Sequence, residues 1–98
     1  MIHGYGHSGA VFYKIMKDIA DAGIHLVLID IIGMGASSRS TTFDKENMNA
    51  DEADTYFVEF LEKWRIAFGD LKGFYLAGHS FGGYICGHYA LKYPQYIK

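Results

Sequence analysis

Three glycine-bearing segments occupy matching places along this chain, each after a short apolar run and ahead of a helical period. His3-Gly4-Tyr5-Gly6 follows the stub Met1-Ile2. Asp30-Ile31-Ile32-Gly33-Met34-Gly35 follows the run from Ile24, and Gly78-His79-Ser80-Phe81-Gly82-Gly83 follows Phe74 to Ala77. Between them lie apolar residues at helical spacing. Phe12, Ile15, Met16 and Ile19 form one stripe, stopped by Gly23. Phe57, Phe60, Leu61, Trp64 and Phe68 form a second, stopped by Gly69. A third helical stretch runs from Gly82 to Tyr93 and cannot pass Pro94. Strands alternating with helices imply an α/β domain, three-layered αβα, around a parallel sheet. In such a sheet ligand chemistry gathers at the carboxyl ends of the strands, where the three glycine segments fall. Ile24 to Asp30 reads as a strand buried on both faces, and the polar, acidic stretch ahead of the second helix, through Asp54, reads as a long solvated loop.

Ser80 carries the sharpest signal. A serine between a buried strand and a helix, with Gly78 and Gly82 two residues to either side, fits a nucleophile elbow. The turn is tight enough that side chains at those glycines would strike the adjoining strand or helix, and it aims the hydroxyl at solvent. The same turn offers the backbone N–H of Phe81 to the negative charge of a tetrahedral intermediate, reinforced by the positive end of the third helix. Tyr5, in the glycine loop after the first strand, is placed to give a second oxyanion N–H. Gly4 and Gly6 let that backbone come close, His79 belongs to the elbow, and His3 suits hydrogen bonding to neighbouring loops better than proton transfer.

A rival pattern overlaps the first loop. Gly4-Tyr5-Gly6-His7-Ser8-Gly9 spells Gly-x-Gly-x-x-Gly and Asp30 closes the next strand about twenty residues on, which is the spacing of a dinucleotide site. That reading leaves Gly33, Gly35 and Ser37 unexplained, together with a complete elbow at the next strand end. Asp30 is better read as bracing the glycine loop that follows it.

Composition removes other classes. Half of the residues are apolar and the formal charge is -2, with no basic stripe for nucleic acid. A single cysteine, Cys86, permits no internal disulfide. The carboxylates from Asp44 to Asp54 lack the alternation and glycine of a calcium loop, so neither metal nor cofactor is expected. No basic leader or membrane-length apolar run is seen, which favours an intracellular location without fixing a compartment. Cys86, Trp64, the phenylalanine stripe and the tyrosines of the last helix read as core. Met34 and Phe81 are candidates for lining an acyl pocket.

With those residues in view, the chain resembles the α/β-hydrolase family, in which His-Gly-x-Gly, Asp-x-x-Gly-x-Gly-x-Ser and Gly-x-Ser-x-Gly-Gly occur in this order. Ser37-Ser38-Arg39, Trp64-Arg65 and Lys92-Tyr93-Pro94 resemble its lipid-acting branch, which holds lysophospholipid and N-acyl phospholipid hydrolases and a lipase coactivator. The coactivator has Asn at the nucleophile position; Ser80 is similar to the hydrolytic members. The resemblance implies a serine hydrolase acting on carboxylic esters of lipids through an acyl-enzyme on Ser80, with peripheral membrane or lipid-droplet contact. It also implies that residues 1–98 are one partial domain matching strands three to five of the family sheet, ordered four, three, five. The triad acid and histidine follow the nucleophile in that family. Here no Asp or Glu follows Ser80, and the only later histidine, His88, sits within a helical period. The isolated chain is therefore expected to hydrolyse very weakly, and its open sheet edges to favour self-association. The alternative is a non-catalytic interaction module.

Overall fold

The computed structural model describes residues 1–98. Helix α1 spans Tyr13–Asp21, α2 spans Ala50–Ala67 and α3 spans Phe81–Lys92, with short 3-10 turns at Gly9–Phe12 and Pro94–Tyr96. Each stop falls where the sequence puts it. Gly23 and Gly69 take left-handed φ values of 80° and 118°, which a side chain would resist, and Pro94 opens the closing turn. The second start is set by Asn49, whose side chain accepts the Glu52 N–H at 2.8 Å. The acidic stretch is thus only partly a loop, because its last residues, Ala50 to Asp54, already belong to α2.

The sheet is built in the expected order by parallel bridges. Ile2 pairs with Ile29 on one side and Gly78 on the other, and a further bridge joins Phe74 to Ile97. The Ile2 N–H donates to Ala77 O at 2.9 Å, His79 N–H to Ile2 O at 3.0 Å, and Ile29 N–H to Met1 O at 3.1 Å. These are single bridges and not ladders, because a central segment of two residues gives each neighbour only one partner. The fourth extended segment at Ile97 is too short to show any period.

Side chains alternate across a sheet, and the two faces here differ. Ile2, Val27, Ile29, Phe74 and Leu76 join Val58, Leu61, Ile85 and Tyr89 in the core beneath α2 and α3. Leu28 points the other way, onto Gly9 and the turn that leads into α1. That second face is thinly covered: Tyr75 is 79% exposed, and no residue of α1 is buried. The expectation that Ile24 to Asp30 is buried on both faces is therefore corrected. Ile24 and His25 are exposed, and only Ile29 is buried. An apolar groove of about 440 Å³ opens beside this region, walled by Ile24, Leu26, Trp64, Phe68, Phe74 and Leu76 among others.

The second helix also turns differently from its phenylalanine stripe. Val58, Leu61, Glu62 and Arg65 are its buried residues, while Phe68 is 48% exposed and stacks on Trp64 at 4.9 Å. Burying Glu62 and Arg65 is tolerable because each neutralises the other. Arg65 grips both carboxylate oxygens of Glu62, at 2.9 and 2.7 Å, and also donates to Asp70 and to Leu71 O. The fully buried Tyr89 donates its O–H to Glu62 at 2.7 Å. Arg65 holds the Glu62 carboxyl below the usual glutamate range, while burial first, and then Glu62, push the Tyr89 hydroxyl up. Tyr84, by contrast, is half exposed and does not belong to the core.

Candidate functional site

Ser80 sits between the last extended segment and α3 with φ +54° and ψ -122°, a backbone that a non-glycine residue adopts only under constraint. The neighbouring glycines supply the room for it. A Cβ on Gly78 would lie 2.4 Å from the carbonyl oxygen of Gly82, and one on Gly82 would lie 2.2 Å from Ile2 O and 2.4 Å from His3 O. The bend is therefore clamped between the start of α3 and the central segment. Gly82 N–H closes it by donating to His79 O at 3.0 Å. The side chain of Ser80 is exposed.

The first glycine loop lies against this hydroxyl. A Cβ on Gly4 would meet Ser80 Cβ at 3.2 Å and Oγ at 3.6 Å, so the backbone passes directly over the serine. Gly6 takes φ +72° in open space. Neither the Tyr5 N–H nor the Phe81 N–H donates to any group of the chain, which leaves two unpaired donors on the two loops that flank Ser80. His79 is exposed, and its hydrogen bonds here are made by its backbone.

His3 is fully buried and ties two loops together. Its Nε2 accepts the Ile31 N–H at 2.9 Å, so its Nδ1 carries the proton and donates to Gly4 O at 2.7 Å. The ring thereby holds Gly4 in place over Ser80. Met34 is half-buried and packs on the core, and Phe81 packs edge-on against Phe57 with ring centres 5.0 Å apart. Cys86 is half-buried, and burial pushes its thiol up to about 11.

Asp30 braces the loops around it. Oδ1 accepts the Gly9 N–H at 2.6 Å, Oδ2 accepts the Ala36 N–H at 2.9 Å, and the Ser37 hydroxyl donates to Asp30 O at 2.5 Å. The Gly9 and Ala36 amides hold its carboxyl below the ordinary aspartate value of 3.8. A depressed carboxyl stabilises the fold in full above that ordinary value, and the contribution is lost as pH falls through the lowered one. Urea midpoints between pH 2.5 and 7 should therefore drop below pH 4 in the parent. Asp30→Asn should be weaker at pH 7 and show a shallower acid limb; an unchanged limb would remove Asp30 from this role. With both oxygens committed to the protein's own loops, Asp30 does not suit the ribose contact of the dinucleotide pattern.

No triad forms around Ser80 within these residues. His88 Nε2 lies 3.8 Å from Asp54 Oδ2, but His88 is eight residues along α3, roughly 12 Å of helix rise from the serine. Asp54 also accepts the Tyr84 O–H, at 3.0 Å to each oxygen, and Glu59 accepts from Lys92 and Tyr93 at 2.7 Å. Two tyrosines of α3, Tyr84 and Tyr89, and Tyr93 at its C-cap thus meet three acids of α2, counting Tyr89 on Glu62. This set is not legible in the sequence, since acids on a helix look like a solvated face.

The model of the alpha/beta hydrolase fold family matches residues 1–98. The chain is 38% identical over its whole length to an Arabidopsis thaliana 1-acylglycerol-3-phosphate O-acyltransferase, covering 22% of that protein. It is 35% identical to a mouse (lyso)-N-acylphosphatidylethanolamine lipase, covering all of this chain and 27% of that one. The human 1-acylglycerol-3-phosphate O-acyltransferase ABHD5 is 34% identical over the same full length, 26% of its own. The chain thus spans about a quarter of the length of these relatives. A solved extracellular α/β-hydrolase from a Paenibacillus species superposes with a TM-score of 0.65 at 24% identity, covering 99% of this chain and 36% of that one. No helix is long and apolar enough to cross a membrane. By its full-length family match, its parallel order around Ile2 and its glycine-clamped bend, the chain belongs to the α/β-hydrolase family, in the branch of these acyltransferase and lipase relatives.

Proposed function

We propose that this chain carries the nucleophile and the oxyanion donors of a serine acyl-transfer site for carboxylic esters of lipids. The observation that supports the reading most is the constrained bend at Ser80, whose exposed hydroxyl lies beneath the Gly4 loop. Ser80 Oγ attacks the ester carbonyl, and the Phe81 and Tyr5 N–H groups receive the charge on its oxygen. The C–O bond to the alcohol then breaks and the alcohol leaves with the proton, giving an acyl-Ser80 ester. Water releases the acid, or a hydroxyl of a lysolipid takes the acyl group, matching the lipase and acyltransferase names of the relatives. With no acid–histidine pair at Ser80, the proton moves through solvent and turnover by these 98 residues is slow.

Mixing the chain with p-nitrophenyl decanoate should release a burst of p-nitrophenolate, approaching one equivalent, that disappears in Ser80→Ala. An equal burst in that variant would place the chemistry elsewhere. A second reading is favoured by the exposed face around Tyr75 and the adjoining apolar groove, which suit self-association or contact with a lipid surface. Sedimentation velocity at rising concentration, with and without phosphatidylcholine vesicles, separates the two.

A further inference from the structure

A serine held at φ +54° relaxes unless its surroundings forbid it. From the sheet side the carbonyls of Ile2 and His3 press on Gly82. From the helix side the constraint passes through Tyr84. Its N–H donates to Ser80 O at 3.1 Å, closing the first turn of α3, and its ring lies near-parallel to that of Phe81 at 6.3 Å. Phe81 is also met by Phe57 of α2, with the two rings near-perpendicular and their centres 5.0 Å apart. The Tyr84 hydroxyl, which would otherwise swing freely in a half-exposed position, is fixed between the two oxygens of Asp54 at 3.0 Å each. The ring of His88 packs against that of Tyr84 with centres 4.4 Å apart.

Asp54 is thus two contacts from the carbonyl of Ser80 and two from the ring of the residue whose amide is assigned to the oxyanion. We propose that Asp54 is a positioning residue which, through Tyr84, holds the Ser80 bend and the Phe81 N–H in register for attack. The assignment rests on the serine reading above. It gives the α2–α3 contact a task beyond cohesion: α2, remote in sequence from the elbow, sets the elbow's geometry.

The test uses the full chain and a small alkyl fluorophosphonate, following the rate of Ser80 modification per folded molecule at one pH. Asp54→Ala and Tyr84→Phe should each lower the limiting rate constant about ten- to a hundredfold. The probe concentration giving half of it should stay unchanged, because neither residue touches the probe. Asp54→Asn, which still accepts the Tyr84 O–H, should recover most of the rate. The double variant should be no slower than the slower single one, since both break the same link. In parallel, the Phe81 amide resonance should shift in both single variants, including in a Ser80→Ala background. Lower melting temperatures with unchanged modification rates per folded molecule, or an unmoved Phe81 amide, would overturn the assignment. If the parent chain is never modified, the serine reading fails, and the Phe81 resonance in the Ser80→Ala background still decides the role of Asp54.

Discussion

Glu62→Ala should destabilise the chain by about 3–5 kcal/mol, a large share of the stability of a small domain. Most of the cost comes from what remains: Arg65, a residue 2% exposed, loses both oxygens of its partner, and the buried Tyr89 O–H loses its acceptor. Asp70 and Leu71 O still hold one end of Arg65 but leave the charge under-compensated. Replacing the pair together, as Glu62→Leu with Arg65→Met, should recover much of the loss, because no charge is then stranded. Urea unfolding of the three proteins checks this. A single variant as stable as the parent would show the pair to be solvated.

Gly82→Ala should cost about 1–3 kcal/mol or more. It should also remove the reactivity of Ser80 in whatever fraction still folds. The added methyl meets two main-chain carbonyls at under 2.5 Å, and neither can swing aside as a flexible side chain would. The central segment must separate from α3, opening the bend. Gly87→Ala, five residues further along the same helix, is the control. Beyond the backbone of its own helix turn, nothing lies within 4 Å of where its methyl would sit, so it should stabilise the helix by about 0.5–1 kcal/mol. Equal effects at the two positions would mean that the clamp is not as tight as drawn.

These two predictions mark where the sequence was readable and where it was not. The steric task of Gly78 and Gly82 follows from their spacing around Ser80, and the alternation of apolar runs with helical periods gives the parallel order around Ile2. His3 and Asp30 were legible as loop braces because each sits where a strand ends and two turns must be held together. Glu62 and Arg65 were not. Charges three residues apart on a helix look the same whether they face water or a partner helix, and only the arrival of Tyr89 from α3 separates the cases. Asn49 with Glu52 three residues on is a start signal that the polar composition around it concealed. The thin cover over α1 and Tyr75 was also invisible in detail, since an apolar stripe records a preference for burial and not the presence of whatever satisfies it.

Peptide mapping by mass spectrometry after treatment with a fluorophosphonate probes the turn most directly. The folded chain should carry one phosphonyl group, on the peptide containing Ser80, and the adduct should vanish in Ser80→Ala and in chain unfolded with urea. Adducts spread over several serines, or formed equally well in urea, would contradict the claim that the clamped bend makes this hydroxyl the reactive one.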